Sequence, residues 1–282
     1  MPVSRQLVKE IYKKRPEWSQ KGDFGKLLVV GGSVLYSGSP MFNALAAYHA
    51  GCDLVKLIAP ESAANAIKSY MPDLIAYPLK GDYLSKKHVK TILQVQKDAG
   101  AMVIGGGLTR NKQTAQAIRS IIKKTKIPAV IDADAIHAIN FKLTKNFIVT
   151  PHSHEFYVLS GKKISNDVNE RIISTKNLAA RIKCVVLLKG HIDVISDGNK
   201  TTTNGTGNAF MTKGGLGDML AGICGALLAR GVDPYHASCA AAYINGAAGD
   251  LAAKKFGEGL MASDIISEIP NVINKAKEDK IY

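Results

Sequence analysis

The segment Thr212-Lys213-Gly214-Gly215-Leu216-Gly217-Asp218-Met219-Leu220-Ala221-Gly222 sets a carboxylate directly behind a glycine-crowded turn. Glycines let backbone N–H groups face an anion with no Cβ in the way, and a helix starting there adds the positive end of its dipole. A carboxylate fixed beside such a hole takes a proton from an attacking hydroxyl, so the segment suits phosphoryl transfer with Asp218 as base. The same residues also fit a plain helix start, because Asp is a favoured capping residue.

Other chemistry-bearing groups follow short apolar runs. Gly31-Gly32-Ser33 and Tyr36-Ser37-Gly38-Ser39-Pro40 come after the run at 26–30 and lead into a small-residue stretch with Asn43, Ala44, Ala46 and Ala47. Gly105-Gly106-Gly107-Leu108-Thr109-Arg110 follows the run at 101–104, and Asp132-Ala133-Asp134 follows 129–131. Thr150-Pro151-His152-Ser153-His154-Glu155 follows 147–149, and Lys189-Gly190-His191-Ile192-Asp193 follows 184–188. Singly, each has a plain explanation: glycine doublets make turns, Asp134 fits a helix cap, and Lys189 fits a solvated loop. His152 and His154 lack the cysteines or third ligand of a zinc site. Their shared position carries the weight, because ligands of an open parallel sheet bind outside the carboxyl ends of its strands.

The elements that must hold these groups are legible as alternating patterns. Strands are expected at 26–30, 54–58, 101–104, 129–131, 147–149, 184–188 and 192–195, mostly as continuous apolar runs of the kind buried on both faces of a parallel sheet. Helices are expected at 41–50, 62–70, 86–98, 113–124, 154–159, 169–182, 218–230, 234–255 and 262–277, the last two separated by Gly257-Glu258-Gly259. This alternation predicts a doubly wound α/β fold. No linker, repeat or low-complexity segment interrupts it, so residues 1–282 are expected to form one domain, with 1–25 an N-terminal arm that carries a short helix near 7–12.

Composition narrows the function classes. A 46% hydrophobic and 21% charged chain has the balance of a globular protein, and no apolar run approaches the roughly 18 residues of a membrane helix. The opening residues lack the apolar core of a signal peptide, so the expected compartment is the cytoplasm. Cys52, Cys184, Cys224 and Cys239 form no C-x-x-C pair and read as buried free thiols. The net charge of +14 raises the question of nucleic acid, but no zinc-finger, helix-turn-helix or ribonucleoprotein signature accompanies it. Arg110, Lys112, Arg119, Lys123, Lys124 and Lys126 instead fit the wet face of one helix. A basic surface that favours small phosphate-bearing molecules is the expectation, with neither nucleic acid nor membrane as partner.

Neither nucleotide fingerprint is present. G-x-x-x-x-G-K-[ST] does not occur, and Gly205-Thr206-Gly207 is followed by Asn208-Ala209-Phe210, which breaks G-x-G-x-x-G. The ordered set Gly31-Gly32-Ser33, Gly105-Gly106-Gly107-Leu108, Asp132-Ala133-Asp134, Thr150-Pro151-His152 with Glu155, Leu188-Lys189-Gly190 and Gly214 to Gly222 resembles the NAD(P)H-hydrate dehydratases, from about Lys21 to about Ile269. The resemblance implies a ribokinase-like three-layer α/β/α sandwich with a mostly parallel central sheet. It also implies an enzyme that repairs hydrated NADH and NADPH with ADP, or ATP, as phosphoryl donor. Phosphorylating the ring hydroxyl turns a poor leaving group into phosphate, which the ring nitrogen lone pair then expels.

Carried over position by position, Asp218 resembles the catalytic aspartate that contacts the substrate hydroxyl. Gly215, Leu216 and Gly217 resemble the anion hole, and Lys189, Gly190, His191, Ile192 and Asp193 the nucleotide-binding loop. Ala44, Gly107 and His152 match positions lining the hydrated dinucleotide site, and Glu155 the glutamate that organises water around Mg2+. Three positions depart from the family pattern: Leu216 stands where threonine is common, Lys213 where threonine or another uncharged residue is common, and His154 where glycine is common. The resemblance further implies a homotetramer and a separate NAD(P)H-hydrate epimerase acting on the same metabolite. Two alternatives remain: a ribokinase-like kinase of a small hydroxylated metabolite, and a basic nucleic-acid-binding protein.

Overall fold

In the computed structural model, which describes residues 3–278, one nine-stranded sheet runs through the chain. Its strands are β1 Lys26–Val30, β2 Leu54–Pro60, β3 Ile75–Leu79, β4 Ala101–Ile104, β5 Ala129–Ile131, β6 Phe147–Val149, β7 Val185–Leu188, β8 Asp193–Ser196 and β9 Thr201–Asn204. The order across the sheet is β3-β2-β1-β4-β5-β6-β7-β8-β9. β1 to β7 pair in parallel, and β8 and β9 add an antiparallel edge. The helices are α1 Arg5–Ile11, α2 Gly38–His49, α3 Glu61–Tyr70, α4 Val89–Val95, α5 Lys112–Lys124, α6 Ser153–Ser160, α7 Val168–Ile182, α8 Leu216–Ala229, α9 Pro234–Phe256, α10 Ala262–Ile266 and α11 Ile269–Lys277.

Strand alternation divides the core into two layers. Leu27, Val29, Val55 and Val103 pack against α1, α2, α3 and α8 to α11, whereas Leu28, Val30, Met102 and Ile104 pack against α4 to α7. The result is the three-layer α/β/α sandwich with a mostly parallel sheet that the resemblance implies. Both faces are covered, which is why the strands read as continuous apolar runs.

The structure differs from the sequence reading at the edges. β3 and β9 were not expected, and both lie at sheet margins. Pro78 interrupts β3 and cannot donate to a ladder, which confines such a strand to an edge, while Thr201–Asn204 is too polar to read as a core strand. The helix expected at 262–277 is two, because Pro270 supplies the first turn of α11 and breaks the pattern there. Within the expected arm, α1 packs on α9 and α11, and Val3 N–H bonds to Thr203 O at 2.9 Å. Residues 1–2 of that arm and 279–282 lie outside the described residues. Among the described residues no helix is long and apolar enough to cross a membrane, and all four cysteines are free and buried.

Candidate active site

The glycine turn ends where α8 begins. Gly215 occupies the N-cap with φ +96°, and a Cβ there would fall 2.8 Å from the Phe42 ring, so backbone conformation and space both require glycine. The first-turn N–H groups of α8 have no intrahelical acceptor and carry the positive dipole end. Asp218 is held in that turn. Ser39 donates a short hydrogen bond to its Oδ1, and Asn43 Nδ2 donates to its carbonyl at 2.6 Å. Gly106 permits this closeness: a Cβ on it would lie 2.5 Å from Ser39 Oγ and 2.6 Å from Asp218 Oδ1.

Burial, reinforced by the nearby Asp132 carboxylate, pushes Asp218 up to about 6, while the Ser39 hydroxyl and Lys189 oppose the shift. The result is a carboxylate that is ionised at neutral pH and more basic than a free aspartate.

Lys189 directly follows β7, and its side chain reaches the groups after β5 and β6. Its Nζ lies 3.0 Å from Asp132 Oδ1 and 3.8 Å from Glu155 Oε2. Thr150 Oγ1 fixes the same Asp132 oxygen at 2.6 Å. Burial works against the ammonium charge, but Asp132, Glu155 and Asp218 outweigh it and raise the lysine above its ordinary value. A Cβ on Gly217 would sit 3.2 Å from this ammonium, so the cation stands at the mouth of the α8 turn.

His152 and Glu155 cap α6 reciprocally. His152 Nδ1 accepts from the N–H groups of His154 at 3.1 Å and Glu155 at 3.3 Å, and Glu155 Oε2 accepts from His152 N–H at 2.8 Å. Burial lowers the His152 pKa against the pull of Glu155, and its accepting Nδ1 fits the neutral ring. After Lys189, the Gly190 N–H donates to Asp193 Oδ1 at 3.0 Å and Asn204 Nδ2 to Asp193 Oδ2 at 3.1 Å. Burial raises Asp193 to about 6 despite those bonds.

A cleft of about 750 Å³ opens beside these groups. Lys189, Gly190, His191, Asp193, Leu216 and Gly217 line it, together with His152 and Lys213. Ile192 and Gly215 are not among the residues that line it: Ile192 is half-buried beside them in the chain, and Gly215 is the N-cap of α8. Gly107 has φ +71°, and a Cβ on it would come 2.8 Å from Tyr36, while Ala44 is fully buried on α2 beside Asn43. Lys213 donates to the Glu258 carbonyl at 3.0 Å, which holds its ammonium over the cleft's rim.

Several residues acquire a role only in three dimensions. Ser39, Asn43, Asp132 and Thr150 stand in strand-end motifs but had no assigned partner. Arg171, whose Nη2 donates to the Lys189 carbonyl at 2.9 Å, and the cleft-lining Asn245 gave no signal, and the cleft-lining Thr206 stood only in a glycine pair that fits no nucleotide fingerprint. Among the described residues no group of three or more His, Cys, Asp and Glu side chains could hold a metal ion.

A mostly parallel α/β/α sandwich with an aspartate behind a glycine turn at the carboxyl edge is a ribokinase-like architecture. A ribokinase-like superfamily protein of Enterococcus faecalis has the same fold, with a TM-score of 0.85 at 24% identity over 97% of this chain and 95% of that one. Residues 27–271 match the NAD(P)H-hydrate dehydratase family, and the chain belongs to that family. It is 36% identical to the ADP-dependent (S)-NAD(P)H-hydrate dehydratase of Cenarchaeum symbiosum over 94% of each chain. It is 42% identical to a bifunctional NAD(P)H-hydrate repair enzyme of Pyrobaculum aerophilum, over 91% of this chain and 52% of that protein. The chain thus spans about half the length of the bifunctional relatives it matches. A Bacillus subtilis ADP/ATP-dependent NAD(P)H-hydrate dehydratase, co-crystallised with ATP and Mg2+, superimposes with a TM-score of 0.85 at 26% identity over 98% of both chains.

Proposed function

We propose that this protein is an ADP-dependent dehydratase that returns the S epimer of hydrated NADH and NADPH to the reduced dinucleotide, releasing AMP and phosphate. The observation that carries the reading is Asp218, a buried carboxylate raised to about 6, in the same helical turn as an anion hole faced by the Lys189 ammonium. Asp218 takes the proton of the ring hydroxyl while that oxygen bonds to the terminal phosphorus of ADP. The bond from that phosphorus to the bridging oxygen breaks, and AMP leaves with the electron pair. The amides of Gly215, Leu216 and Gly217 and the Lys189 ammonium receive the charge that develops on the phosphoryl oxygens. Phosphate then departs from the ring with the C–O electron pair, pushed by the ring nitrogen, and loss of a proton from the neighbouring carbon restores the double bond.

In this reading Lys189 to Asp193, with Gly217 and Leu216, hold the nucleotide, and Gly107 and His152 line the dinucleotide side, to which the resemblance also assigns Ala44, fully buried on α2. Among the described residues the carboxylates do not form a protein cage for Mg2+, but a metal carried mainly by phosphate oxygens and water needs only one or two of them. Glu155 is the residue that would hold it through water, and the ion would neutralise phosphate charge. The wider reading treats the chain as one domain, with a separate epimerase supplying the S epimer, a homotetrameric assembly and a cytoplasmic location in keeping with the free thiols. Light scattering on the purified protein measures the assembly.

Purified protein with Mg2+ and ADP should restore reduced-nicotinamide absorbance to hydrated NADH with stoichiometric AMP and phosphate. No restoration with ADP or ATP would remove the activity. A kinase of a small hydroxylated metabolite shares the glycine turn and aspartate but leaves a stable phosphorylated product, which mass spectrometry detects.

A further inference from the structure

We infer that the pocket beside Arg230, at the amino ends of the strands, is a second anion site that takes a phosphate group, free or on a small ester. Asp218 lies in the first turn of α8 and Arg230 at its far end, about 18 Å of helix away, and no residue of this pocket lines the cleft. The pocket has a volume of about 200 Å³, below the roughly 300 Å³ at which pockets begin to hold larger organic ligands.

Three segments bring cations to it. Lys13 and Arg15 follow α1, Arg230 caps α8, and Lys277 ends α11. A Cβ on Gly51, which precedes β2, would come 3.4 Å from Arg230 Nη1 and 3.6 Å from Arg15 Nη2, so both guanidinium groups converge on one glycine. Arg15 is engaged: its Nη1 pairs with Asp53 Oδ1 at 2.9 Å, and its Nη2 donates to the Gly51 carbonyl at 2.7 Å. Asp53 is engaged too, because its other oxygen accepts from the N–H groups of Gly22 at 3.0 Å and Phe24 at 2.9 Å.

Arg230 has no such partner. It is half-buried, yet among the described residues it donates no hydrogen bond and forms no ion pair. Burial and the neighbouring Arg15 lower its pKa, against the pull of Tyr12 and Asp53. Its guanidinium carbon stands 4.8 Å from the centroids of both the Tyr12 and Phe24 rings, and the Tyr12 ring is fixed by a 2.9 Å bond from its hydroxyl to the Ala50 carbonyl. Stacking uses the face of a guanidinium and leaves its in-plane N–H donors open, in the fork that matches phosphate oxygens. A cation at the end of α8 complements the helix dipole, which accounts for one charge and not for its neighbours. Lys13 and Lys277, the latter 6.0 Å from the Tyr12 centroid, also have no hydrogen-bond or ion-pair partner among the described residues. Exposed lysines without partners are ordinary; a half-buried arginine without one, beside a second arginine, is not. A phosphate dianion supplies both the opposite charge and acceptors in several directions.

Isothermal titration of the full chain with inorganic phosphate and with glycerol 3-phosphate, in about 150 mM KCl without nucleotide or hydrated dinucleotide, tests this. At least one should bind with a Kd of about 1 mM or tighter, and the tighter of the two tells a free phosphate from an ester. Arg230→Gln should weaken that binding at least about tenfold. Lys13→Ala combined with Lys277→Ala, confined to exposed side chains, should weaken it about threefold or more and leave the phosphate-free thermal midpoint unchanged. Lys189→Ala, at the anion end of the cleft, should leave it in place. No binding of either ligand tighter than about 10 mM, unchanged binding in either folded pocket variant, or binding abolished by Lys189→Ala would each overturn the assignment. If Arg230→Gln does not fold, the lysine pair decides.

Discussion

Asp218 is held in an environment that disfavours the charge its chemistry needs. Because its pKa in the fold, about 6, lies above that of a free aspartate, protonation favours the folded state. The stability it contributes is complete below about pH 4 and is lost as pH rises through about 6. Asp218→Asn should therefore abolish turnover, keep nucleotide binding, and raise unfolding free energy near pH 7.5 by about 1–3 kcal/mol with no gain near pH 4; denaturant titration at the two pH values measures this. Ser39→Ala removes the donor that holds the pKa down, so the acidic limb of the kcat profile should move to higher pH. Asp218 and Lys189 were legible in the sequence because catalytic residue types stood directly after glycine turns or strands. Asn43 and Asp132 were visible but mute, since their partners lie 175 and 57 residues away along the chain. Asn245 was invisible, because nothing near it in sequence distinguishes it from a helix-surface residue.

At the scale of elements, α8 joins the site to the core. Its glycines lie against neighbours with no room to spare: a Cβ on Gly222 would come 2.3 Å from the Asn43 carbonyl, and one on Gly225 2.4 Å from Val103. Gly225→Ala should destabilise by about 1–3 kcal/mol through overpacking, read by denaturant unfolding. Gly222→Ala pushes α8 from α2 at the residue that holds the Asp218 backbone, so kcat should fall by more than its stability loss accounts for. The central strands and long helices were legible because burial on two faces or one writes a strong pattern. The edges were not: β3 and β9 are held by pairing with a neighbour, a property that apolar periodicity does not encode. The break between α10 and α11 is marked only by Pro270, which the first turn of a helix tolerates, so the apolar pattern runs on through it.

Over the whole molecule, a net charge of +14 sets a field that draws anionic ligands toward the basic surface. The association rate of ADP should fall several-fold between about 20 and 300 mM salt with a smaller change in dissociation rate, which stopped-flow binding resolves. The strand order has a consequence for synthesis. β1 is interior, β2 and β3 extend one side, and from β4 on each strand joins the opposite margin in the order it is made. The sheet can thus grow as the chain leaves the ribosome, yet α8, which packs on β1, β4 and β5, is translated only after the ninth strand. Until then the nascent chain carries a finished sheet whose α8 face is covered by α2 and α3 on the β1 to β3 side and is apolar and open beyond it, a state that calls for chaperone shelter. The helix that ends this exposure is the one that bears Asp218, so a chain that stalls before it has neither cover nor base.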